Sequence, residues 1–294
     1  MNLVVGATGL LGGEIGRQLV TEGKPVRALT RSTSDPARVG ALQRLGVDLV
    51  QGDLKDRASL DAACQGATAV FSTASSTLTR QPGDSIETVD REGQLNLVDA
   101  AKAAGVEHFV FISFRHNPDL WCPLEDAKRS VEQRLKASGL TYTILQASYF
   151  MEIWLSPALG FDYPNAQARI YGEGHNGISW VSFKDVAQFA VASLDHPAAR
   201  NAIVEVGGPE ALSPLEVVRL FEEVGGQAFT VEHIPEEALQ AQQANAPDPL
   251  QESFATLMRS YAAGDAIEME ATLAAFPLRL TSVRDYAEGV LATA

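Results

Sequence analysis

Three glycines at the start of the chain carry its first chemical signal. They stand in Met1-Asn2-Leu3-Val4-Val5-Gly6-Ala7-Thr8-Gly9-Leu10-Leu11-Gly12. A short apolar run enters the first glycine and a helical pattern leaves the last, which reads as strand, turn and helix. Gly6 permits the tight turn. Gly9 lets backbone N–H groups approach a pyrophosphate, and Gly12 lets the helix pack close to the strand. Thr8, Leu10 and Leu11 complete the loop. The spacing is G-x-x-G-x-x-G, and its place between strand and helix points to a dinucleotide. The alternative is a tight strand–helix turn with no ligand.

Further candidates follow later strands. The second strand runs into Arg27-Ala28-Leu29-Thr30-Arg31-Ser32. An acidic residue there would bond the 2′-hydroxyl of NAD, whereas the Arg31 guanidinium matches a 2′-phosphate in bidentate fashion. NADP is therefore the expected cofactor and NAD the alternative. A solvated loop arginine is the plainer reading. Asp53 and Leu54, after the third strand, are placed to meet an adenine, the carboxylate accepting from the exocyclic amine and Leu54 covering the ring. Asp53 could equally cap the next helix. Thr73 and Ala74, small residues after the fourth strand, allow close approach to ribose and pyrophosphate.

Lys128 lies in a helix between the fifth and sixth strands. It could hold nicotinamide ribose hydroxyls, or act on a substrate oxygen as general acid or electrostatic stabiliser. From spacing alone, a surface lysine is the simpler alternative. Eight aromatics crowd residues 149–183. Tyr149, Phe150 and Trp154 are the nearest candidates for a flat apolar substrate slot, against ordinary lobe core.

The elements that position these residues alternate regularly. Strands are expected at 3–5, 26–30, 48–51, 69–72, 108–113 and 141–146, with helices at 11–22, 36–45, from 56 to about 66, 85–104 and 124–138. Such alternation predicts an α/β fold: a Rossmann doubly wound parallel sheet with right-handed crossovers and a ligand crevice at the strands' carboxyl ends. Residues 1–150 are read as the NAD(P)-binding domain. Residues 151–294 are read as a smaller C-terminal substrate lobe, with about 178–208 returning to the sheet. From Ser213 the chain reads as mostly helical, and residues 240–249 as a polar, mobile candidate lid.

The 294 residues carry a net charge of −14, which argues against nucleic acid as a partner. No apolar run is long enough to span a membrane. The first strand starts almost at Met1, so no leader peptide is expected. Cys64 and Cys122 read as reduced thiols of a cytoplasmic protein. The five histidines show no metal-ligand spacing, so no metal is expected.

The glycine loop, Arg31, Gly52-Asp53-Leu54 and the run from Lys128 to Leu145 together resemble the NmrA-like group of atypical short-chain dehydrogenases/reductases. So do Ser148-Tyr149-Phe150-Met151-Glu152 and the segment from Ile178 to Ala187. The resemblance covers about residues 1–210. It implies a Rossmann domain with a small substrate domain, and places Lys128 near nicotinamide and substrate. The group holds NADPH-dependent quinone reductases, isoflavone and phenylcoumaran ether reductases, and redox sensors that bind the cofactor without turnover. Two positions depart from related patterns. Leu124 stands four residues before the lysine, where ordinary short-chain dehydrogenases carry a tyrosine, which disfavours alcohol oxidation by a Tyr–Lys pair. Gln146 stands where the family often has arginine.

Two readings compete. One is an NADPH-dependent reductase of a quinone or related conjugated carbonyl, acting on an apolar or aromatic small molecule as a monomer or homodimer. The other is a non-catalytic NADP-sensing regulator working through a protein partner. A nucleotide-sugar epimerase would need the missing tyrosine.

Overall fold

The computed structural model describes residues 1–117 and 120–293. The chain divides into two compact units, one of residues 1–114, 123–146 and 186–204, the other of residues 115–122, 147–185 and 205–294.

In the first unit, strands and helices alternate as β1 (Asn2–Val5), α1 (Leu10–Thr21), β2 (Val26–Thr30), α2 (Pro36–Arg44), β3 (Asp48–Gln51), α3 (Arg57–Cys64) and β4 (Ala69–Ser72). A π-helical segment, Ile86–Gly93, runs straight into α4 (Gln94–Ala103). Then come β5 (His108–Phe114), α5 (Pro123–Ser138) and β6 (Thr141–Ala147). The seven-stranded sheet has the order β3-β2-β1-β4-β5-β6-β9, where β9 is Ala202–Val206. β1 pairs in parallel with both β2 and β4, and β2 with β3 and β4 with β5 likewise. The chain reverses its order of strand addition between β1 and β4, the switch point where a doubly wound sheet opens its ligand crevice.

β1 and β4 are buried along their whole length, so they read as continuous apolar runs rather than alternating ones. Leu3, Val5, Val70, Phe109, Phe111, Leu97 and Val131 belong to one buried cluster of this unit. Stacking helices on such strands removes apolar area worth roughly 25 cal/mol per Å² from water.

One polar pair inside this unit predicts a pH response. His108 is 5% exposed. Its Nε2 lies 2.8 Å from Thr143 Oγ1, and that hydroxyl donates to the Ala199 carbonyl at 2.8 Å. Nε2 must therefore carry the proton and donate. Burial, with the Arg200 charge adding to it, pushes the imidazole down to about 4. Between the ordinary histidine pKa of about 6.5 and that value, only the unfolded chain takes up the proton. Stability is thus full above that range and falls as the pH drops through it, by up to about 3 kcal/mol. Urea unfolding at pH 7 and pH 4.5 should show this loss in the parent and a smaller one in His108→Gln. An identical loss in both would assign it to other groups.

The second unit contains α6 (Met151–Trp154), β7 (Phe161–Asp162), β8 (Gln167–Tyr171), the start of α7 (Phe183–Ala192), α8 (Pro214–Gly225) and β10 (Thr230–Ile234). Four helices complete it: α9 (Glu236–Ala244), α10 (Pro249–Ala263), α11 (Glu270–Ala275) and α12 (Val283–Leu291). β10 pairs in parallel with β8, and β7 pairs antiparallel with it. Tyr149, Phe161, Ile170, Trp180, Phe221 and Tyr261 belong to this unit's own buried cluster.

From Ser213 the described chain is mostly helical, as expected, with β10 set between α8 and α9. One expectation is corrected. The stretch read as a mobile lid is α9 followed by the Asp248 cap of α10, whose carboxylate accepts from the N–H groups of Leu250 and Gln251 at 2.9 Å. Pro235, Glu236 and Glu237 open α9 with the residues a helix start favours, and its glutamines are good helix formers.

Candidate functional site

Gly6 adopts φ +90°, which favours glycine. A Cβ there would lie 2.5 Å from Thr73 Oγ1 and 2.8 Å from the Ala74 nitrogen, and one on Gly12 would overlap the Gly6 carbonyl. The first and third glycines thus let the β1 turn, the start of α1 and the end of β4 close on one another. Thr73 Oγ1 donates to the Val5 carbonyl at 3.2 Å and fixes that junction.

Gly9 is the N-cap of α1 and supplies no side-chain acceptor to its N-terminus. The first N–H groups of a helix have no intrahelical partner. They form a donor array carrying the positive end of the helix dipole, which suits a pyrophosphate. Leu10 is 49% exposed beside it. Arg38, from α2, donates to the Thr8 carbonyl at 2.7 Å and sets a cation on the loop. These residues fit a dinucleotide.

Arg31 follows β2 and is half-buried. Its Nη1 donates to Asp84 Oδ2 at 2.6 Å. Lys55, two residues beyond Asp53, bonds the other oxygen of the same carboxylate. Burial alone would push the Asp84 carboxyl up, but the bonds from Lys55, the Gln81 N–H and Arg31 hold it below the usual carboxylate range. Asp53 Oδ1 accepts from the Lys55 N–H at 2.9 Å in a tight turn. Asp53 is not the cap of α3. That cap is Asp56, whose carboxylate accepts from the Ala58 N–H. Leu54 is buried in the unit's core beside Gly93, where an added Cβ would lie 2.8 Å from Leu54 Cβ.

The structure removes the surface alternative for Lys128. The side chain is buried on α5, its Nζ donates to the Ile112 carbonyl at 3.1 Å, and it lies 4.8 Å from the centroid of the Phe111 ring. Burial pushes the ammonium down from the ordinary lysine value. Arg129 acts in the same sense, and the Asp90 and Glu132 charges oppose it. Asp90 is fully buried in the π-helical segment, and its Oδ2 accepts from the Ser76 N–H at 3.0 Å and hydroxyl at 2.6 Å. Gln146 donates to Glu132 Oε1 at 3.1 Å. Ser113 also donates to that oxygen, and Arg129 lies 3.2 Å from it. The Glu132 charge is therefore answered from Arg129 on its own helix, and position 146 needs only an amide.

In the second unit, Tyr149 is 8% exposed and donates to the Leu257 carbonyl at 3.0 Å. Its ring meets Trp154 edge-on at 4.8 Å and Tyr261 at 5.9 Å. Phe150 is half-buried and pairs its backbone with Val181. An open groove of about 620 Å³ lies against α9 and α10, with Phe254, Met258 and Gln242 in its lining.

Sequence reasoning singled out neither Arg38 nor Lys55, nor the acidic pair Asp84 and Asp90. Lys55 carried a weak signal, being the first base after the third strand. Among the described residues, no cluster of three or more His, Cys, Asp or Glu could hold a metal, and no helix is long and apolar enough to cross a membrane.

A sheet of this order, with a glycine turn between β1 and α1, defines a Rossmann-like protein. Within that class, the chain belongs to the NmrA-like family, whose pattern matches residues 2–287. It is 34% identical over 264 residues to an isoflavone reductase homolog of Zea mays, covering 84% of this chain and 82% of that protein. It is 31% identical over 240 residues to the photosystem II assembly factor Ycf39 of Trieres chinensis, covering 79% of this chain and 72% of that protein. Its fold matches an NADPH-dependent quinone oxidoreductase of Escherichia coli, solved with NADPH, at a TM-score of 0.79 and 23% identity over 99% of both chains.

Proposed function

We propose that the protein is an NADPH-dependent reductase that passes hydride to a quinone or a related conjugated carbonyl. The observation that carries this reading is Lys128, a buried cation in the unit that also holds the glycine turn and Arg31. The uncapped start of α1 would bind the pyrophosphate through Thr8, Gly9, Leu10, Leu11 and Gly12, with Arg31 on the 2′-phosphate. Asp53 would meet the adenine and Thr73 and Ala74 the ribose side, whereas the Leu54 side chain, expected to cover the ring, is turned into the core. The nicotinamide supplies the hydride when bound. Reduction places negative charge on a conjugated oxygen, and Lys128 would stabilise that charge or hold a ribose hydroxyl. A quinol is acidic enough that protonation from water completes the reaction without an enzymic tyrosine, which accords with Leu124. Two buried cysteines outside any disulfide accord with a cytoplasmic setting.

The relative bearing the name of an assembly factor favours a second reading, a cofactor-binding protein that acts through a partner without turnover. NADPH consumption against a panel of benzo- and naphthoquinones, with NADH in parallel, separates the two. Turnover well above the uncatalysed rate, faster with NADPH, is expected. Binding of NADPH without turnover would give the place to the sensor.

A further inference from the structure

The carboxylate of Asp84 sits between two cations. Its Oδ2 accepts from Arg31 Nη1 at 2.6 Å and from the Gln81 N–H at 2.9 Å, and its Oδ1 accepts from Lys55 Nζ. The carboxylate side chain is 2% exposed, while Arg31 and Lys55 are 30% and 29% exposed. This is not a pair of surface ions, which would contribute little. Both oxygens are answered by charge and a backbone donor adds a third bond, so the acid is held in its ionised form. Arg31 follows β2, Lys55 follows β3, and Asp84 ends the loop after β4. The loops after three strands thus bring Arg31, Lys55 and Asp84 together at the sheet's carboxyl edge, and Asp53 Oδ2, 3.6 Å from Lys55 Nζ, is a second and more exposed acid beside them.

We propose that Asp84 is a specificity-determining residue for the cofactor, an internal counter-ion on Arg31 and Lys55 that a 2′-phosphate must displace. The proposal rests on the NADPH reading given above. A phosphomonoester carries about −1.5 to −2 charge near neutral pH and offers three acceptor oxygens. An arginine fork and a lysine point charge can together hold it. The carboxylate and the phosphate cannot share these cations, because like charges so close repel. A ribose 2′-hydroxyl is neutral and leaves the carboxylate in place. Asp84 therefore taxes NADPH and spares NADH. Displacement also frees the 73–84 loop from its tie to Arg31.

The test uses the full chain and four probes: NADPH, NADH, adenosine 2′,5′-bisphosphate and 5′-AMP, titrated by calorimetry. Asp84→Asn keeps an oxygen for the Gln81 N–H and removes the charge. It should tighten NADPH and the bisphosphate about tenfold, and change NADH and 5′-AMP by less than about twofold. Equal changes for all four probes, or weaker binding of the two 2′-phosphates, would overturn the proposal and make Asp84 a support for the loop or for Arg31. If Asp84→Asn does not fold, Lys55→Gln takes its place. It should weaken the 2′-phosphates alone, and equal weakening of all four probes would again overturn the proposal. A parent protein that binds the bisphosphate no better than 5′-AMP would instead sink the cofactor reading at Arg31, and this inference with it.

Discussion

Lys128→Met is expected to cut NADPH-driven quinone turnover by about 10²–10³-fold, the usual cost of losing one group aimed at developing charge. The NADPH Kd should stay within about threefold, because the pyrophosphate and 2′-phosphate contacts assigned to α1 and Arg31 are untouched. Methionine keeps most of the stem's volume against Phe111, so the loss reports the charge rather than the packing. A cation removed from water acts through a low local dielectric, where a given separation contributes far more than at the surface. The pH profile gives a second readout. Burial lowers the Lys128 pKa, so the charged form is present at low pH and is lost as the pH rises through a value below that of free lysine. Turnover that depends on the ammonium should fall on that alkaline limb, and the limb should be absent from the residual activity of Lys128→Met. Equal turnover in mutant and parent would take Lys128 out of the mechanism.

Arg31→Glu is expected to reverse the cofactor preference, moving the NADPH/NADH affinity ratio by about 10²-fold or more. The substitution removes the fork that would hold a 2′-phosphate. It puts in its place a carboxylate that repels the phosphate and can accept from a ribose hydroxyl. Asp84 would keep its bonds from Lys55 and the Gln81 N–H, so the loop retains two of its three ties. Arg31→Ala serves as the control for charge reversal and should lower the ratio without inverting it. Fluorescence titration of both nucleotides measures this directly. An unchanged ratio in both variants would show that Arg31 does not read the 2′-phosphate.

The first unit was legible because its signals are local. Gly6, Gly9 and Gly12 lie within one turn, and each strand is a short apolar run punctuated by a glycine or an aspartate. β10 was not legible. Thr230–Ile234 is a largely exposed edge strand whose partner, β8, lies some sixty residues earlier, so no buried face imposes an alternating pattern on it. The π-helical segment was hidden for a different reason. Ser85 and Thr88 form a readable capping box, but the widened turn that follows does not alter the composition. Lys128 could be nominated but not placed, since burial of a lysine depends on what the chain folds around it. Asp84 and Arg31 meet across 53 residues of sequence, and no spacing rule connects them. Gln146 looked like a lost cation, and only the position of Glu132 beside Arg129 explains why an amide suffices there.

The two cysteines have a consequence for chemical endurance. Quinones are electrophiles that arylate thiolates, so a protein that turns them over is exposed to damage by its own substrate. Cys64 and Cys122 are both buried, at 0% and 1% exposure. Burial, with the Asp61 charge adding to it, pushes the Cys64 thiol up to about 11, which leaves almost no thiolate to react near neutral pH. Among the described residues no sulfhydryl is exposed, so the fold itself keeps both thiols away from electrophiles in the solvent.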